Sequence, residues 1–200
     1  MAQVVRTRQE LMDDLRKLDR DYAALLNKCC REQLNWRPAI DSWSVAQCIQ
    51  HVARVNSVYL TPVKAAIAEG HMPAAQDNEK LHTAGWFSTV FLRSVSPGGR
   101  VKLQSPRIGR PSAEPSAINC DEALKGLLDT HKEIREILTT PGQPDFNRLR
   151  FKNPFVPVLR FTVGTGILVM VAHAQRHLLQ AERVCGTENF PKAQSTGRTA

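Results

Sequence analysis

The chain has 200 residues, with 27 Lys and Arg against 19 Asp and Glu and a formal net charge of +8. That length supports one domain with a substantial core, no run of eighteen or more apolar residues offers a membrane span, and the N-terminus enters a charged amphipathic pattern directly, without the apolar stretch of a signal peptide. Five cysteines (Cys29, Cys30, Cys48, Cys120 and Cys185) are odd in number and never spaced CxxC, which argues against a disulfide framework and for a reducing cytoplasm.

Leu11, Leu15, Leu18, Tyr22, Leu25, Leu26 and Cys29 recur at three- and four-residue steps and predict a first amphipathic helix over about 4–33. Asn35-Trp36-Arg37-Pro38 ends it, since proline disfavours helix in the residue before it. Ser44-Val45-Ala46-Gln47 has the form of a capping box opening a second helix. Its apolar stripe runs through Val45, Cys48, Ile49, Val52, Val55, Tyr59, Val63 and Ile67, with Gly70 as C-cap and Pro62 expected to kink or shorten it. Cys48 reads as a small buried hydrophobe. Trp36 and Trp43 flank the turn and are expected to pack on the end of the bundle.

Residues 71–118 are less regular. Leu81–Val95 suits a short helix, Ser96-Pro97-Gly98-Gly99 breaks it, and the Pro-, Gly-, Ser- and Arg-rich stretch to Ala117 reads as a long loop. Asn119 caps a third long helix striped by Leu124, Leu127, Leu128, His131, Ile134 and Leu138, which Thr140-Pro141-Gly142 ends. A second basic loop covers 141–160. A last helix over about 164–185 presents Ile167, Met170, Val171, His173, Ala174, His177, Leu178, Ala181 and Val184 on its core face. Residues 187–200 read as a polar, disordered tail. Four long amphipathic helices with no convincing strand pattern predict an all-α bundle spanning 4–186 with long inter-helix loops.

The chemistry-bearing feature is His173-Ala174-Gln175-Arg176-His177. Residues four apart lie one above the other on a helix, so two imidazoles there can share one metal ion. His51, on the apolar edge of the second helix, would complete a three-nitrogen set with an open position, the pattern of a catalytic rather than a structural site. Set against that, each could be a separate core histidine satisfied by a backbone or hydroxyl partner. His131 also lies on an apolar stripe and reads as a supporting group, a fourth ligand or, more often for such a residue, a satisfied core histidine; His71 and His82 carry no assigned role.

Trp43-Ser44-Val45-Ala46-Gln47-Cys48-Ile49-Gln50-His51-Val52 resembles the opening motif of the DinB/YfiT-like superfamily, a Trp-Ser pair followed one to two turns later by a metal-ligating histidine. His173-Ala174-Gln175-Arg176-His177-Leu178-Leu179-Gln180 is similar to that family's closing motif, and the Arg100–Pro115 segment and the Phe190-Pro191 ending also fit. The resemblance covers about 4–191. It implies a four-helix bundle whose metal ligands are His51, His173 and His177, a divalent transition metal such as zinc or nickel, and frequent homodimers. It also implies a thiol-dependent transferase or hydrolase acting on a small molecule, with a low-molecular-weight thiol as partner, or else a metal-binding stress-response protein without turnover.

The charge is uneven. Lys80, Arg93, Arg100, Lys102, Arg107 and Arg110 lie between Glu79 and Glu114 with no acid among them, and Arg148, Arg150, Lys152, Arg160 and Arg176 lie between Asp145 and Glu182. Such patches attract anions, which makes Arg100, Arg107, Arg148 and Arg150 candidate contacts for an anionic substrate, against the plainer reading of solvated loop charge. Nucleic acid is the weaker partner, because no recognisable binding motif occurs and the aromatics do not interleave with the basic residues.

Overall fold

The computed structural model describes residues 2–70, 79–99, 106–142 and 144–192. Among them are six helices: α1 (Arg8–Lys28), α2 (Arg31–Asn35), α3 (Val45–Glu69), α4 (Gly85–Val95), α5 (Cys120–Thr139) and α6 (Val163–Cys185). The four long ones are those the apolar periodicity marks out. α3 packs most extensively on α5 and α6, and α1 packs on the same two, so α1 and α3 sit on opposite sides of the α5–α6 pair. Leu15, Tyr22, Ile49, Val52, Leu127, Ile134, Ile167 and Ala174 meet in the core between them. No described helix is long and apolar enough to cross a membrane.

The expected plain four-helix bundle is thus corrected to an all-α fold of six helices. It also carries two short antiparallel pairs, β1 (Val5–Thr7) with β2 (Lys80–His82), and β3 (Arg150–Lys152) with β4 (Arg160–Thr162). The first helix, expected over 4–33, gives up both ends. Residues 5–7 pair with the strand at 80–82, and Thr7 stops the extended segment by accepting the Glu10 N–H while Glu10 accepts the Thr7 N–H. At the other end Cys29 and Cys30 are extended, and the Gln33 side chain caps Cys30 N–H to start α2. α3 continues past Pro62 to Glu69.

The capping box at Ser44 forms as expected: Gln47 N–H donates to Ser44 Oγ and Gln47 Oε1 accepts from Ser44 N–H. The Asn119 side chain accepts from the Asp121 and Glu122 N–H groups and opens α5. The second basic loop is ordered by the β3–β4 hairpin, which pairs Phe151 with Phe161 and delivers the chain into α6. There a close approach requires glycine: a Cβ at Gly166 would lie 2.8 Å from Phe151 Cζ. Past α6, Phe190 packs edge-on against Trp36 and Gln33 donates to the Pro191 carbonyl, so residues 187–192 lie against the bundle. Residues 193–200 of the expected tail, like His71 and Arg100, fall outside the described residues. The five cysteines are free thiols, and burial pushes Cys48 up to about 12.

Candidate metal centre

α3 and α6 bring the three histidines together. His173 Nε2 lies 3.2 Å from His51 Nε2 and 3.1 Å from His177 Nε2. His51 and His177 are buried, whereas His173 keeps an edge open. Among the described residues these three form the group able to hold a metal ion.

The orientation of His51 is built from α3 itself. Its Nδ1 lies 2.5 Å from the Gly109 carbonyl. A carbonyl only accepts, so the proton sits on Nδ1 and the Nε2 lone pair faces the other two rings. The loop carrying Gly109 is held by α3 residues one and two turns apart. Gln47 Nε2 donates to the Ser112 carbonyl, Gln50 Oε1 accepts from Ser112 N–H, and Arg54 donates to the Arg110 carbonyl. On α6, the buried Tyr22 hydroxyl donates to the Ala174 carbonyl at 2.8 Å, tying α1 to the turn between the two histidines.

Protonation arithmetic tests whether this donor set suits a cation. His51 Nε2 is a lone-pair acceptor. If His173 Nε2 carries a proton, that proton satisfies one neighbour and leaves nothing for the other; if it does not, two lone pairs face each other across 3.2 Å. No set of neutral tautomers satisfies both contacts with linear hydrogen bonds. A cation satisfies all three nitrogens at once, and tetrahedral Zn–N bonds of 2.0–2.1 Å separate ligand nitrogens by about 3.3 Å, close to the spacing found. The site also disfavours imidazolium. Burial lowers His51 to about 4, against a partial rise from the Gly109 contact. Burial and then the charges of His51 and Arg176 lower His177 to about 3, and burial and the other two histidines lower His173. Neutral imidazoles in a desolvated cluster are the protonation state that binds metal.

Trp43 corrects an expectation. It packs over the histidines rather than merely on the end of the bundle, with ring centroids 4.7 Å from His51 and 5.6 Å from His177, nearly parallel to the latter. With the three histidines it lines a cavity of about 950 Å³. Arg107, Arg148 and Arg150, expected as contacts, do not line it; Arg107 and Arg150 pass their charge to solvent at exposed positions. The loops contribute Pro106, Phe155 and Val156 instead, and the lining cations are Arg176 and Arg183 on α6. Arg176 donates to the carbonyls of Ser94, Ser96 and Gly99, fastening the end of α4 over the cavity.

Neither His131 nor His82 joins the centre. His131 is fully buried on α5 with Nδ1 2.6 Å from Asp19 Oδ1, and Arg135 holds the other carboxylate oxygen; it is the partnered core histidine. His82 sits on β2 beside Gln3. Sequence reasoning missed the Gly109 carbonyl, the stacking of Trp43 on the histidines and Arg183. A signal existed for Trp43 in its place beside the α3 cap; a backbone carbonyl carries none.

A family model described as the DinB superfamily matches residues 14–181, well over half the chain and inclusive of all three histidines. No curated protein and no solved structure matches the chain.

Proposed function

Because the chain belongs to the DinB superfamily, we propose that it is a metal-dependent enzyme whose zinc or nickel ion is held by His51, His173 and His177, transferring a small thiol to or from a small-molecule substrate. The observation that carries this reading is the convergence of three imidazole nitrogens that no neutral protonation scheme satisfies. A divalent ion held by three neutral ligands keeps its charge and lowers the pKa of a water or thiol that reaches it.

The chain's own groups supply the rest. Gly109 fixes the His51 tautomer, Trp43 stacks on the His51 and His177 rings, and all three histidines line the cavity. The lining favours thiol transfer over hydrolysis. Its one carboxylate among the described residues is Asp41, exposed before α3, so no buried base stands beside the histidines to assist water. A free thiol, with a pKa of about 8.5, needs far less help than water at about 15.7.

Cobalt-loaded protein tests the choice. Titration with cysteine should change the visible metal spectrum in wild type and leave His173→Ala unchanged. Turnover that proceeds without any thiol, together with an unchanged spectrum, would favour hydrolysis.

A further inference from the structure

The cavity has two unlike ends, and the histidines lie between them. α3 and α6 run antiparallel: His51 meets His173 and His177, while Val63, further along α3, comes 3.5 Å from the Cβ position of Gly166, earlier on α6. Residues later on α3 and earlier on α6 therefore share one end. There Val55, Tyr59 and Val169 are buried walls, and Phe155 closes them with its ring 5.3 Å from that of Tyr59. The Tyr59 hydroxyl is engaged by Asn153 Nδ2 at 3.0 Å, so this end offers ring faces and methyl groups. The turn before α3 and the last turns of α6 form the other end, where Asp41, Ser42, Gln180 and Arg183 line the opening. Between Val169 and Val184 the α6 wall is about 22 Å long at 1.5 Å per residue.

An apolar end cannot accept a charged group without a large desolvation cost. An acid and a base at the opposite end match a head that carries both charges. We propose that the cavity binds a bipartite substrate: an amino-acid-like zwitterionic head at Asp41 and Arg183, and an uncharged aryl or branched-alkyl group on Tyr59, Phe155 and Val169. The placing of the reacting atom between them rests on the metal reading above; the two recognition ends are tested apart from it.

The test is calorimetric titration of Nε-benzyloxycarbonyl-L-lysine and Nε-methoxycarbonyl-L-lysine, which differ only by the phenyl ring and are long enough to reach from the rim to Tyr59, into zinc-loaded wild type and metal-free His173→Ala. Wild type should bind the aryl probe about tenfold or more tightly than the other, from the added apolar burial. Phe155→Ala, at a partly exposed position, should shrink that ratio at least about threefold and leave the methoxycarbonyl probe unchanged. Arg183→Ala, at an exposed position, should weaken both probes by the same factor. Equal affinity for the two probes, failure of both to bind wild type, or a ratio indifferent to Phe155→Ala overturns the proposal. A preserved ratio in protein that takes up no zinc sustains it while removing the metal reading. Equal probe affinities in protein holding zinc do the reverse.

Discussion

Gln47→Ala should loosen the metal centre without touching a ligand. Gln47 is 3% exposed, and its side chain does two jobs. Oε1 accepts Ser44 N–H at 2.9 Å, closing the α3 cap, and Nε2 donates to the Ser112 carbonyl at 2.7 Å, holding the loop whose Gly109 carbonyl orients His51. Alanine keeps the backbone bond to Ser44 Oγ but leaves the buried Ser44 N–H without its acceptor and the Ser112 carbonyl without this donor. The orphaned Ser44 N–H, the lost half of the capping box, costs about 1–3 kcal/mol and the lost partner of the Ser112 carbonyl about 1 kcal/mol, so the total is about 2–4 kcal/mol. For a chain of this size that corresponds to a melting temperature roughly 5–15 °C lower. Gln50→Ala removes one bond to the same residue, Ser112 N–H, from a less buried position, and should cost about 1 kcal/mol. Thermal and urea unfolding of the metal-free proteins measures both. Zinc competition titrations should then show about a tenfold weaker site in Gln47→Ala, the usual scale for losing support behind a ligand. A Gln47→Ala protein no less stable than Gln50→Ala would refute the reasoning.

Acid should destabilise the metal-free protein through the same histidines. Their unfolded values lie near 6.5 and burial holds His51 at about 4 and His177 at about 3. Between those limits the unfolded chain binds protons the folded one refuses, so the stability is complete above pH 6.5 and falls as pH drops toward 4, by about 1.4 kcal/mol per pH unit for each histidine. Urea midpoints that do not move between pH 7 and 5 would contradict this. Gly166→Ala should lose about 1–3 kcal/mol through overpacking, because its Cβ would meet Phe151 Cζ and Cε1 at 2.8 and 3.0 Å; an unchanged melting temperature would mean the hairpin yields freely. Tyr22→Phe should cost about 1 kcal/mol, the ordinary value of one hydrogen bond, and leave zinc stoichiometry as in wild type, read by unfolding and metal analysis together.

The long helices are legible because burial on a helix forces apolar residues into three- and four-residue steps. The caps at Ser44 and Asn119 are legible because the residues that satisfy orphan N–H groups sit next to them in the chain. β1 and β2 escape the same logic: Val5 finds His82 from far along the chain, beyond the whole of α1 and α3, and three-residue strands leave no alternation to read. The break at Cys29–Cys30 is equally silent, carrying neither proline nor glycine. His51, His173 and His177 are legible as a set through spacing and motif, while their support is not. Gly109 acts through its carbonyl, which any residue possesses, and only the folded loop brings it to His51. Charge in a loop gives no direction, so the sequence marks Arg107, Arg148 and Arg150 as candidates and passes over Arg183, which lines the cavity from the last turns of α6.

Metal content of protein purified without an affinity tag, for wild type and His173→Ala side by side, tests the central claim most directly. Three converging nitrogens predict about one equivalent of a transition metal in wild type and its loss in the variant. A wild-type protein that is metal-free as isolated and also fails to take up zinc or nickel would contradict the account and leave the three histidines as core residues.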